Sequence, residues 1–203
     1  MALSCLNEIM PLANEADVLL VGPGWGRSET LTKLLKELIE CANLPMILDA
    51  DALHALSELP KSILFSRIMP TLITPHPGEF AKLTGRTTEE VQASRQELAL
   101  LAARERNCCV VLKGHQTIVT DGKRLYRNTT GNAGMATGGT GDVLAGLLSG
   151  LMAQGIDPFD AAQIATYVHG RAGDLAAAEL GQTAMIASDL LDYLPAALKE
   201  LGG

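Results

Sequence analysis

Between Gly131 and Gly150 the chain reads GNAGMATGGTGDVLAGLLSG, and Gly131, Gly134, Gly138, Gly139 and Gly141 fall within its first eleven residues. Asp142 follows directly. After it Val143, Leu144, Leu147, Leu148 and Leu151 recur at helical spacing, which predicts a loop running into a helix. The first N–H groups of a helix have no intrahelical acceptor, and glycines let that backbone approach a ligand closely. Together with the helix dipole this makes an anion site suited to a phosphate. A carboxylate at its edge has two roles open to it. Asp142 can cap the helix, or it can take a proton from a hydroxyl held beside the phosphate.

Other stretches bring further chemistry. Gly22-Pro23-Gly24-Trp25-Gly26 lies between a predicted strand and a predicted helix, a place where loops hold ligands or simply turn tightly. It lacks the G-x-G-x-x-G spacing of a dinucleotide fingerprint. Trp25, at its apex, either stacks on a ring or covers the core. Asp49 and Asp51 share a side if the chain stays extended; they then hold a metal or metal-bound water, or they cap the helix Ala52 to Leu59. His54 reads as a surface or helix-end residue. Thr74-Pro75-His76-Pro77-Gly78-Glu79 sets a histidine between two prolines, which fix the backbone around it. Lys113, at a strand end, is either a salt-bridged surface lysine or a partner for a phosphate. His169 and Asp174 read as hydrogen-bond partners in helix packing.

The elements that must position these residues follow from apolar runs and turn chemistry. Val18–Val21, Met46–Leu48, Thr71–Ile73 and Cys109–Leu112 read as buried strands. Ile118–Thr120 and Leu125–Arg127 flank an Asp121-Gly122 turn, a hairpin signal. Met1 to Asp17 holds a weak helix pattern containing Pro11. Ser28 caps a helix whose buried face is Leu31, Leu34, Leu35, Leu38 and Ile39. Thr87 and Glu90 have capping-box spacing for a helix that runs to about Arg106 with Val91, Leu98, Leu101 and Ala102 inward. Asp157-Pro158 opens a long helix. Ser188 caps a last one, which Pro195 kinks or divides. Strands alternating with helices give an α/β fold with a mainly parallel sheet covered on both faces.

At 203 residues the chain reads as one domain, residues 1–203, with enough length for a sizeable core. Its hydrophobic share is 47% and its aromatic share 3%, so Ala, Leu and Gly fill the interior. A net charge of −7 argues against broad binding to nucleic acid or anionic membrane. No apolar run reaches the ~20 residues of a membrane span. Cys5, Cys41, Cys108 and Cys109 form no C-x-x-C pair. They read as reduced core cysteines of a cytoplasmic protein, and no signal peptide precedes them.

The run NAGMATGGTGDVLAG closely resembles the signature of ADP/ATP-dependent NAD(P)H-hydrate dehydratases, a branch of the ribokinase-like superfamily. G-P-G-W-G, D-A-D-A-L-H, T-P-H-P-G-E, K-G-H-Q-T and H-G-R-A-G-D resemble further motifs of that family, in order, over essentially the whole chain from Asp17. Trp25 stands where Leu is more usual, and His54 where Asn is usual. The resemblance implies a three-layer α/β/α sandwich and repair of hydrated NADH or NADPH. It places Gly24, Gly26, His76 and Asp142 at the hydrate. It places Lys113, Gly114, His115, Gln116, Thr117, Gly138, Gly139, Thr140 and Gly141 at an adenine nucleotide. Asp142 becomes the catalytic base. ADP is the implied phosphoryl donor, with ATP as the alternative and Mg²⁺ as companion, although no motif identifies a metal ligand. Relatives carry an earlier strand and loop of G-G-S type that this chain does not match. The N-terminal strands of the sheet are therefore expected to be missing, and a homo-oligomer is expected. Two rivals share the glycine loop: a vitamin-precursor kinase of the same superfamily, and a non-catalytic nucleotide-binding protein.

Overall fold

Short apolar segments build one sheet. β1 (Leu19–Val21), β2 (Met46–Leu48), β3 (Thr71–Ile73) and β4 (Cys109–Leu112) run parallel, and β5 (Ile118–Thr120) and β6 (Leu125–Arg127) follow antiparallel, in the spatial order β1-β2-β3-β4-β5-β6. In register, Leu20 lies opposite Ile47, and Ile47 opposite Leu72. The computed structural model describes residues 2–202, so Met1, where the weak helix pattern begins, lies outside the described residues.

Side chains alternate across the sheet with period two. Met46, Leu48, Ile73, Val110, Leu112 and Ile118 face one core; Ile47, Leu72, Cys109, Val111 and Val119 face the other. On the first face lie α1 (Ala2–Asn14), α2 (Glu29–Cys41), α3 (Asp51–Ser57), α4 (Pro77–Thr84), α5 (Thr88–Ala93) and α6 (Arg95–Arg106). On the second lie α7 (Thr140–Ala153) and α8 (Pro158–Leu180), and α9 (Asp189–Lys199) packs onto α8. Short 3-10 turns cover Lys61–Ser66 and Ala133–Met135. Leu34, Leu35, Leu38 and Ile39 are all buried on α2, each contributing roughly 1.5–3 kcal/mol.

The local caps form as the sequence predicts. Ser28 accepts from the Leu31 amide, Thr87 and Glu90 make a capping box, and Asp157 accepts from Phe159 and Asp160 ahead of Pro158. Four expectations need correction. The helix through Arg106 breaks at Ser94 (φ −138°, ψ 40°) into α5 and α6. In α6 Leu98, Ala99, Ala102 and Ala103 are buried while Leu101 is 42% exposed. Ser188 caps nothing with its side chain; Asp189 instead accepts from the Ile186 amide. Pro195 sits inside an undivided α9, which Leu190 and Ala197 anchor on either side of it. Cys41 is exposed, at the last residue of α2, whereas Cys108 and Cys109 are buried. Among the described residues no helix is long and apolar enough to cross a membrane.

Candidate active site

All four parallel strands end at one edge of the sheet, and the hydrogen-bond ladder continues a step beyond them. The Asp49 amide donates to Val21 at 3.0 Å, the Thr74 amide to Leu48 at 3.1 Å, and the Lys113 amide to Pro75 at 2.8 Å. These bonds gather the glycine loop after β1, the aspartates after β2, the His76 loop after β3 and the Lys113 loop after β4. This is the edge where open α/β sheets place ligands.

Asp49 is 1% exposed, and its Oδ1 accepts from Lys113 Nζ at 2.8 Å. The Lys113 side chain remains 20% exposed. Its Nζ reaches the first turn of α7, standing 3.3 Å from where a Cβ on Gly141 would be. Asp51 turns elsewhere. Between the two aspartates Ala50 takes φ 49°, ψ −119°, a left-handed kink in a residue with a side chain. Asp51 then accepts from the Gly26 amide at 2.9 Å and from Arg27 Nε at 2.8 Å. The Arg27 bond, then the Gly26 amide, lower its carboxyl below the ordinary range. The two carboxylates thus do not share a side, and neither caps α3, whose N-cap Ala50 makes no side-chain bond. Among the described residues no group of three or more His, Cys, Asp or Glu gathers into a metal cage.

Gly22 (φ 129°) fits around this corner, since a Cβ there would run into the Asp49 carbonyl oxygen. Trp25 is partly buried and packs against the core. Gly24 and Gly26 are exposed above it.

The glycine loop enters α7 through Gly139 at φ 89°, the helix N-cap. Among the described residues the amides of Gly138, Gly139 and Gly141 donate to no protein group. Asp142 is the third residue of α7; it is exposed, and its carboxylate accepts no hydrogen bond from the described residues. The capping reading therefore gives way, because a capping carboxylate stands before the first turn and receives its amides.

Helix α8 holds the loop in shape. Asp174 accepts from the Gly131 amide at 2.9 Å and from Asn132 Nδ2 at 3.0 Å. Thr130 Oγ1 donates to the Tyr167 carbonyl at 2.9 Å, and Asn128 Nδ2 to that of Thr166 at 3.0 Å. His169 Nε2 donates to the Thr140 carbonyl at 3.0 Å, and burial pushes its pKa down to about 4. His169 and Asp174 are hydrogen-bond partners as read, but toward the loop. His169, Gly170, Gly173 and Asp174 lie on one helical face, a spacing that is legible in H-G-R-A-G-D.

His76 caps α4: its Nδ1 accepts from the amides of Gly78 and Glu79, and Glu79 accepts from the His76 amide. The neutral ring therefore carries its proton on Nε2, 3.4 Å from Glu79 Oε1. In the turn after β4, Gly114, His115 and Gln116 are exposed, Gln116 is at φ 55°, and Thr117 Oγ1 donates to the Gly114 carbonyl at 3.0 Å. Arg95, to which no motif points, secures this turn by donating to the carbonyls of Leu112 and Lys113. A concavity of about 440 Å³ opens beside the Gly26 loop, lined by Arg27, Leu31, Asp51, His54 and Glu58. Asp142 does not line it.

A mainly parallel sheet between two helical layers, with a glycine-rich helix start and a free aspartate at its C-terminal edge, defines a ribokinase-like protein. The chain belongs to the NAD(P)H-hydrate dehydratase family, whose model matches residues 2–196. It is 45% identical over 198 residues to the bifunctional NAD(P)H-hydrate repair enzyme Nnr of Moorella thermoacetica, covering 97% of this chain and 37% of that protein. It is 41% identical over 180 residues to the ADP-dependent (S)-NAD(P)H-hydrate dehydratase of Neisseria meningitidis, covering 87% of this chain and 59% of that protein. The ADP/ATP-dependent NAD(P)H-hydrate dehydratase of Bacillus subtilis, co-crystallised with ATP/Mg²⁺, superposes with a TM-score of 0.81 at 34% identity. That match covers 93% of this chain and 68% of the other. The chain thus spans less than two thirds of the curated relatives named here, 37% of one and 59% of the other.

Proposed function

We propose that this chain restores hydrated NADH and NADPH by dehydration that consumes an adenine nucleotide, with ADP as the donor and ATP as the alternative. One observation carries the reading: a solvent-facing Asp142 that bonds to none of the described residues adjoins the amides of Gly138, Gly139 and Gly141, which likewise donate to none of them, with Lys113 Nζ against the same turn. Asp142 takes the proton from the ring hydroxyl as that oxygen attacks the terminal phosphate. The amides of Gly138, Gly139 and Gly141 stabilise the charge that develops on the phosphate oxygens. As the new P–O bond forms, the bond to the rest of the nucleotide breaks, and AMP leaves when ADP is the donor (ADP when ATP is). Hydroxide is a poor leaving group; as phosphate, the same oxygen departs with the C–O electron pair, a proton leaves the neighbouring ring carbon, and the ring double bond returns. Lys113 through Thr117 hold the nucleotide, and Gly24, Gly26 and His76 hold the hydrate.

Magnesium fits only in part. Asp49 is spent on Lys113 and Asp51 on Arg27 and Gly26, so the described residues offer the ion no cage. It fits as a counter-ion carried on the nucleotide phosphates, where it supplies charge neutralisation.

The test is recovery of nicotinamide absorbance when hydrated NADH meets the protein with ADP and Mg²⁺. Absorbance that recovers only with nucleotide present is the expected result. Phosphorylation of a vitamin-precursor alcohol, with no recovery, would reassign the chain to the kinases. Independently, ADP at ~100 times its dissociation constant is expected to stabilise the fold by about 2.7 kcal/mol in thermal melts.

A further inference from the structure

We propose that Asp49 is a positioning residue for the nucleotide: it holds the Lys113 ammonium at the mouth of the anion site, where Lys113 meets a phosphate. The proposal rests on the assignment of Lys113 to the nucleotide.

A lysine left alone there faces two difficulties. Its flexible four-carbon stem spreads the ammonium over many rotamers, and the positive end of α7 repels it. Asp49 answers both. It is buried, and among the described residues its carboxylate has one side-chain partner, Lys113 Nζ at 2.8 Å. Asp49 Oδ2 also lies 3.9 Å from the Cβ position of Gly141, so the carboxylate faces the helix start that the ammonium must approach. An ammonium has three donors; one goes to Asp49, and two remain for phosphate oxygens.

The fold gains little from this pair. A buried ion pair seldom stabilises more than two apolar residues of the same size would. Yet several local features accommodate it. Ala50 is strained at φ 49°, and that kink sends Asp49 and Asp51 to different partners. Gly22 gives up its side chain to clear the Asp49 carbonyl. The Lys113 amide is pinned to Pro75, and Arg95 holds the Lys113 carbonyl. Strain and cost gathered around one carboxylate point to a task beyond stability.

The decisive measurement is a double-mutant cycle on the affinity for ADP with Mg²⁺, read by calorimetry on wild type, D49N, K113M and D49N/K113M. D49N is expected to weaken ADP about 10-fold or more, the scale of a charge-assisted hydrogen bond. Once Lys113 is Met, the same Asp49→Asn change is expected to do almost nothing. A purely structural Asp49 would weaken ADP equally in both backgrounds, and that result overturns the proposal, as does wild-type affinity in D49N. If either single variant proves too unstable to titrate, D49L/K113M strands no charge and is expected to fold and bind ADP weakly. Wild-type affinity in that variant is equally fatal. A wild-type chain that binds no adenine nucleotide removes the nucleotide assignment itself; an additive cycle in a chain that binds ADP removes only the role of Asp49.

Discussion

Asp142 and His169 stand on opposite sides of the first turn of α7, one facing solvent and one buried beneath it. Asp142 bonds to none of the described residues, so Asp142→Asn removes a charge without breaking a native contact. The variant is expected to melt close to wild type and to lose on the order of 10²–10⁴-fold in kcat, the range of a general base. Near-normal turnover in the folded variant would end its catalytic assignment. His169 governs stability instead. Burial lowers its pKa to about 4, while in the unfolded chain it titrates near the ordinary histidine value of 6.5. The unfolded state therefore binds a proton first, and stability is lost as pH falls from about 6.5 toward 4. The linkage amounts to roughly 3 kcal/mol over that window. Denaturant melts at about pH 7 and about pH 4.5 check it. His169→Gln, which keeps a donor for the Thr140 carbonyl, is expected to flatten that part of the acid loss; an unchanged pH dependence would reject the role.

At the scale of elements, α8 shapes the glycine loop. A Cβ on Gly170 would collide with Thr130 Oγ1 and lie 2.7 Å from the Thr130 carbonyl carbon. Gly170→Ala is expected to destabilise by about 1–3 kcal/mol as an overpacked contact and to weaken ADP, because the displaced loop leads into α7. Gly146, on α7 itself, has nothing within 4 Å of the place a methyl group would take. Gly146→Ala is therefore expected to gain up to about 1 kcal/mol. Paired melts of the two variants with and without ADP check both; equal effects would mean that α8 does not set the loop. What was legible beforehand follows the same division. The strand cores, the hairpin and the caps at Ser28, Thr87 and Asp157 are local patterns, and the sequence displays them directly. The break at Ser94 carries no Pro or Gly to announce it, and the kink at Ala50 is imposed by partners far along the chain. Asp49 and Lys113 meet across 64 residues, a pairing that no spacing rule reports. The motifs located the candidate site; the tertiary fold decided which carboxylate faces which partner.

For the whole molecule, the two edges of the sheet differ in character. β6 alternates exposed and half-buried residues, whereas Leu19 and Leu20 of β1 are apolar and only partly buried. Among the described residues β1 pairs with β2 alone, so one side of its backbone has no strand partner. By contrast β2, β3 and β4 are buried at every residue. A free apolar edge is a template for strand pairing. The polypeptide of residues 1–203 is therefore expected to self-associate through β1, in a concentration-dependent way. Sedimentation velocity over a concentration series reads this directly. Val18 is partly buried just ahead of β1, on the side of the α7–α8 core. Val18→Lys puts a charge at the strand entry, the device by which natural edges resist pairing, and is expected to shift the distribution toward monomer. Leu191→Lys, on the exposed face of α9, is the control, and it is expected to leave the distribution unchanged. Hydrogen exchange adds a second reading, since amides of Leu19 to Val21 gain protection only if β1 is the contact. A monomer at every concentration, or association that Leu191→Lys dissolves and Val18→Lys does not, would place the sticky surface elsewhere and leave β1 as an edge the fold tolerates.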